Sequence, residues 1–209
     1  MSSALTLCVA VGDDERPLVV AAARQLAAAV SAALGRTWPV SIERVDPERG
    51  NAAGQIWIAS LMDDVSRKED IDATARRWLA RIERWSYPGK PRILLSTLFR
   101  HVPPSPGGRI TIERLRRLNW MGMYLSRSAG IEIVDIDRLF ALCGARALGT
   151  DYRCLGPHAA ELGGHAIAAA ILAGNMDKMI PAPIQEAAAR RHGGILDVAA
   201  VVQRRVVAS

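Results

Sequence analysis

Along this chain, short uncharged runs are separated by longer stretches in which apolar residues return every three or four positions. "ALTLCVAV" is β-rich and apolar throughout, the pattern of a strand covered on both faces. "PLVVAAARQLAAAVSAAL" follows, with Pro17 placed for a first helical turn and Gly35 beyond the last, so a helix is predicted. "PVSIERV" alternates and predicts a strand near a sheet edge, and "QIWIASLM" predicts a third strand ending in Asp63-Asp64. "KEDIDATARRWLARIERW" predicts a helix with Ile71, Ala75, Trp78, Leu79 and Ile82 on one face. "PRILLSTLF" is the fourth predicted strand and "IEIVDI" the fifth; between them "ITIERLRRLNWMGMYLSRSAG" reads as a helix stopped by Gly130. A last packed helix is predicted over "PHAAELGGHAIAAAIL", weakened or bent at Gly163-Gly164.

Strands alternating with helices predict an α/β fold: a doubly wound, flavodoxin-like three-layer sandwich with a five-stranded parallel sheet. The expected domain covers residues 1–173. Residues 174–209 differ in character, with "IPAPIQEAAARRHGG" and then "ILDVAAVVQRRVV", which fits either a helix or a strand. They are read as a C-terminal extension that covers the core or joins a homo-oligomer.

Half of the 209 residues are hydrophobic and 23% are charged, a globular balance. A formal charge of +6 invites a nucleic-acid reading. The basic residues are spread over helical faces, as in "RITIERLRRL", which argues for solvated surfaces and against nucleic acid. Cys8, Cys143 and Cys154 lack metal-ligand spacing and predict reduced, buried thiols. The first apolar run has no basic leader and meets "DDER" at once, unlike a signal peptide. "HAIAAAILAG", the longest apolar stretch, is about half the length of a membrane span. The expectation is a cytoplasmic protein with no membrane partner.

Ligands of wound parallel sheets bind beyond the carboxyl ends of the strands, where strand order reverses. Strands one and three are neighbours there, so Asp13-Asp14 and Asp63-Asp64 are predicted to ring one crevice. Arg153 is a candidate counter-charge and anion clamp. His101, after strand four, lies at the same end, and His165 is a further candidate. Structural roles compete with each of these. Asp13, Asp63 and Asp64 suit helix caps, His158 suits a helix entry, and His165 suits packing within a helix. Trp120 and Met121 to Met123 are read as packing on a helix face.

"GIEIVDIDRLF" followed by "DYRCLGPHAAELGGHAIAAAIL" resembles the closing part of the SGNH/GDSL hydrolase superfamily. There a strand ending in Asp leads to an Asp-x-x-His dyad and a helix of Gly-His-x-x-Ile-Ala character. Gly164-His165-Ala166-Ile167-Ala168 has that character with one residue fewer. "RLNWMGMYLSRSAGIEIVDID" is similar to the family's penultimate helix and strand. "VAVGDD" falls where the family has Gly-Asp-Ser, and "IASLMDD" where it has Gly-x-Asn-Asp. The likeness spans most of residues 1–173 as a pattern. It implies a crevice for carbohydrate or acyl esters, with Asp151 and His158 as the dyad, although Asp151 precedes His158 by seven residues.

The departures from the family carry the functional expectation. Asp14 stands at the position of the serine nucleophile, Asp63 at that of the oxyanion-hole asparagine, and Gly54 precedes the third strand instead of following the second. An ionised carboxylate is a weak nucleophile, and a carboxylate at the oxyanion position repels the charge it should stabilise. The leading expectation is a degenerate member that binds a ligand or partner without turnover. A second is a hydrolase or acyltransferase in which Asp14 attacks and His158 or His165 activates water, its carboxyl pKa raised by burial or like charges. A third is a Mg²⁺ site built on the two acidic pairs. It is weakly similar to a receiver domain, with Ser96 or Thr97 ending strand four but Asp135 and Asp137 where that family needs a lysine.

Overall fold

Both faces of the sheet's central strands are covered, which is why the interiors of those strands carry no charge. The computed structural model describes residues 4–49, 54–86, 90–174, 176 and 179–194. β1 (Leu5–Ala10), β2 (Val40–Arg44), β3 (Ile56–Ser60), β4 (Arg92–Ser96) and β5 (Glu132–Val134) form one parallel sheet in the order β2-β1-β3-β4-β5. The helices are α1 (Arg16–Leu34), α2 (Ile71–Ser86), α3 (Gly108–Ala129), α4 (Ile136–Cys143), α5 (Ala145–Leu148), α6 (Pro157–Leu172) and α7 (Ala182–His192).

Alternate strand residues feed two cores, as the two-residue side-chain period requires. Leu5, Leu7, Val9, Ile58 and Leu94 pack with α1, α6 and α7, whereas Cys8, Trp57, Ala59, Ile93 and Leu95 pack with α2 and α3. This is an α/β three-layer sandwich with flavodoxin-like winding, and β2 is its exposed edge strand.

α1 begins with Pro17 in its first turn and ends at Gly35 in the left-handed region (φ 68°). Of the described helices, only Asp13–Leu34 is long and apolar enough to cross a membrane by length and composition. Leu18, Leu26 and Val30 of this segment are buried in the core under α6 and α7, so its apolarity serves the fold.

The bend expected at Gly163-Gly164 is absent, because α6 runs unbroken. A Cβ on Gly164 would stand 2.6 Å from Ala21 Cβ and 2.7 Å from the Ala22 backbone nitrogen; one on Gly163 would stand 2.6 Å from Leu18 Cδ2. The two glycines let α1 and α6 touch.

The apolar face predicted for α2 divides in two. Trp78 and Ile82, with Trp85, are buried, while Ile71, Ala75 and Leu79 are only partly covered. Trp120 also departs from the expected packing: it is 80% exposed, and Met123 beside it 47%, although Met121 is buried. The three cysteines are free and buried, as their setting predicted.

Beyond residue 173, Met176, Met179, Ile180 and Ala188 join the core under α1 and α6. α7 is tied down by Gln185, whose amide donates to the Leu172 carbonyl (2.9 Å), and by Arg191, which donates to the Ala32 carbonyl (2.7 Å). The "ILDVAAVVQRRVV" segment, expected to be a helix or a strand, lies outside the described residues.

Candidate functional site

The chain leaves β1 through Gly12 and makes one tight turn, Asp13–Glu15, before α1. Such a turn advances about three residues per revolution, so its three acids point in three directions.

Asp13 turns to the sheet edge and pairs with Arg44 of β2 at 3.1 Å; both side chains are largely exposed. It makes no capping hydrogen bond to α1. Asp14 faces solvent. Glu15 turns inward and is buried. Its Oε1 accepts from the hydroxyl of Ser60 (2.6 Å), the last residue of β3, and the same Ser60 oxygen accepts from the Met62 amide at 3.1 Å. Glu15 Oε2 is buried without a hydrogen-bond partner. Burial pushes the Glu15 carboxyl up to about 7; the Ser60 hydrogen bond opposes this, and the charges of Asp63 and Asp14 reinforce it.

The second acidic pair follows β3 in the turn Met62–Asp64, and its two members separate. Asp63 is exposed and lies against the β1 turn, with its Oδ1 3.2 Å from where a Cβ on Gly12 would stand. Glycine at position 12 is what admits this carboxylate. Asp64 departs from the expected crevice role. It is buried, with Oδ1 accepting from Arg77 Nη2 and Oδ2 from Trp78 Nε1, both at 2.6 Å, and it fastens the turn to α2.

The loop before α6 supplies the third side. The Tyr152 amide donates to the His101 carbonyl at 2.8 Å, which ties this loop to the segment after β4. His101 is exposed and stacks on Phe99 with ring centroids 5.8 Å apart. Asp151 is buried and accepts from Arg153 three ways: from the amide (2.9 Å), from Nε and from Nη2 (2.6 Å). These bonds hold its carboxyl below the usual range. The guanidinium of Arg153 is half exposed, lies 5.8 Å from the Tyr152 ring centroid, and feels the charge of Asp14. Its bonded partner is Asp151.

The Asp151–His158 dyad is not formed. Asp151 is engaged by Arg153, and His158 is exposed at the start of α6 with no hydrogen bond or ion pair to Asp151 among the described residues. His165 is buried within α6 and stacks on His192 of α7 at 3.9 Å, a packing contact between helices. The residues of the receiver-like reading are also engaged elsewhere. Thr97 Oγ1 accepts from the Asp137 amide, Asp137 pairs with Arg100, and Asp135 caps α4. Among the described residues, no three His, Cys, Asp or Glu side chains are grouped to hold a metal ion.

Glu15 and Ser60 were not singled out from the sequence, and Cys154 was read there only as a buried thiol. Cys154 sits in the left-handed region (φ 58°), buried, and burial together with the charges of Glu15 and Asp151 pushes its thiol up. It is not a thiolate nucleophile. Ser60 had one legible signal, a hydroxyl closing an otherwise apolar strand.

The strand-end region thus groups a buried Glu15 with the exposed Asp14 and Asp63, whose charges act on it, and Glu15 in turn acts on the buried Cys154. Its exposed members offer hydrogen-bond acceptors and negative charge.

No protein-family model matches this chain, and neither does any curated protein. Among solved structures it is similar to the N-terminal part of the protein BF1531 from Bacteroides fragilis, which contains a phosphatase domain and was crystallised with Mg. The identity is 14% and the TM-score 0.44, over 78% of this chain and 50% of that one. A likeness of that size carries no argument about activity or metal, and this chain spans about half the length of that neighbour.

Proposed function

We propose that this chain is an SGNH-like protein whose crevice binds a cationic or hydroxyl-rich ligand and does not hydrolyse esters. The observation that carries this reading is the placement of the exposed carboxylates Asp14 and Asp63 after the neighbouring strands β1 and β3, a grouping of negative charge that adds to the burial raising the Glu15 carboxyl. An acyl-transfer centre must stabilise an oxyanion, and such a grouping opposes it. Carboxylates serve instead as acceptors for ammonium groups and sugar hydroxyls.

An ester panel tests the absence of turnover. p-Nitrophenyl acetate, p-nitrophenyl butyrate and acetylated sugars should be cleaved no faster than in buffer, by the natural protein and by Asp14→Asn alike. Cleavage that Asp14→Asn abolishes would establish Asp14 as a nucleophile and overturn the binding reading. Glucosamine, which combines an ammonium with hydroxyls, tests the binding. It should raise the melting temperature more than N-acetylglucosamine does, and the Asp14→Asn/Asp63→Asn variant should lose the rise. An equal response from both proteins would count against the crevice.

A divalent cation is a second use for the exposed Asp14 and Asp63 carboxylates, which lie at two neighbouring strand ends. If Mg²⁺ is held there, MgCl₂ raises the melting temperature of the natural protein and not of Asp63→Ala.

A further inference from the structure

Away from the crevice, the outer surface of α2 and α3 carries an apolar groove of about 540 Å³ whose α2 wall the core beneath covers only in part. On α2 its wall is Ile71, Ala75 and Leu79, one residue per turn beside the buried stripe of Trp78, Ile82 and Trp85. Trp120 and Tyr124 face them from α3, 80% and 51% exposed. At about 100° per residue, Leu115, Leu118, Met121 and Leu125 share the core-facing side of α3, whereas Trp120, Met123 and Tyr124 share the other. Ile110, 76% exposed, lies toward the start of α3, separated from Trp120 on this side by the paired Glu113 and Arg117. The groove's charged residues are Arg76, Arg116 and Arg117 against Asp72, with Arg117 paired to Glu113 one turn back on α3.

We propose that this groove docks an amphipathic helix of a partner protein, apolar on one face and acidic along its edges. Tryptophan, tyrosine, methionine and arginine are the residues in which interface centres are enriched. Two helices lying side by side around an apolar trough are the receiving half of helix-in-groove recognition. The arginines select the occupant. A second copy placed groove to groove sets two basic rims against each other. The chain's own 195–209 segment carries Arg204 and Arg205 against Asp197, so its net charge has the same sign as the rim. An acidic helix brings the opposite sign to both sides of the trough.

The probe is a fluorescein-labelled helical peptide of about 14 residues, with leucines at i, i+4, i+7 and i+11 and glutamates beside them. A twin peptide has lysine for every glutamate. Anisotropy with the full chain should show the glutamate peptide binding at micromolar concentration and weakening with added salt. The lysine twin should bind at least about tenfold more weakly, and so should the glutamate peptide to Trp120→Ala and to Arg116→Glu/Arg117→Glu. Because Trp120 is exposed, Trp120→Ala should keep the natural melting temperature. Equal binding of the two peptides, binding of neither, or affinity unmoved by Trp120→Ala overturns the proposal. So does a concentration-dependent dimer that Trp120→Ala abolishes, which makes a second copy the occupant. Sedimentation with phosphatidylserine vesicles that depends on Trp120, without peptide binding, makes it a lipid surface.

Discussion

Glu15 is where the electrostatics of the crevice become measurable. Its carboxyl, about 7 in the folded chain against roughly 4.3 when unfolded, corresponds to about 4 kcal/mol of pH-dependent stability. The folded state keeps the proton between those two values, so this contribution is fully present below about pH 4.3, declines as the pH rises through 7, and is gone above. Glu15→Gln keeps an acceptor for Ser60 and cannot ionise. Urea unfolding between pH 5 and 8 should therefore find the natural protein losing stability relative to Glu15→Gln, which should be the more stable by about 1–3 kcal/mol at pH 8. Parallel curves would show that Glu15 is ionised throughout. The two paired acids make an opposite contrast. Asp64→Ala leaves the Trp78 indole without an acceptor and Arg77 with Glu69 as its remaining carboxylate, and should cost about 2–4 kcal/mol, whereas Asp13→Ala removes only an exposed pair worth less than about 0.5 kcal/mol. If chemical denaturation finds equal costs, Asp64 is not the anchor of the turn after β3.

Among the elements, the α1–α6 contact is the most sharply determined. Gly164→Ala places a methyl group against the α1 backbone and should destabilise by about 2–4 kcal/mol, read as a lower thermal midpoint. Were the glycine a hinge, alanine would stabilise the helix by up to about 1 kcal/mol. The sequence could not separate these cases, since a glycine pair inside a helix looks the same whether it bends or admits a neighbour. The strands were legible because a buried parallel strand is an unbroken apolar run, and alternation with helices leaves few windings. Trp120 was misread for a periodic reason. α3 is apolar on the side bearing Leu115, Leu118 and Leu125, and its opposite side also carries Ile110, Trp120 and Tyr124. A count of apolar residues does not say which side meets the sheet.

For the molecule as a whole, strand order reverses between β1 and β3, and this brings Asp14, Glu15, Ser60 and Asp63 to one place. The two acidic pairs pointed to that crevice from the sequence. Which acid of each pair faces it depends on turn geometry: the tight turns after β1 and β3 send Asp13 to β2, Glu15 inward and Asp64 to α2. The Asp151–His158 dyad came from the family resemblance against its spacing, and the short Asp151–Arg153 turn engages Asp151 instead. The most direct measurement is a carboxyl-carbon NMR titration of Glu15 in the natural protein and in Asp14→Asn/Asp63→Asn. A midpoint near 7 that falls when the two acids are neutralised is the predicted result. A midpoint near the ordinary glutamate value, the same in both proteins, would contradict the shared acidic crevice on which the proposed function rests.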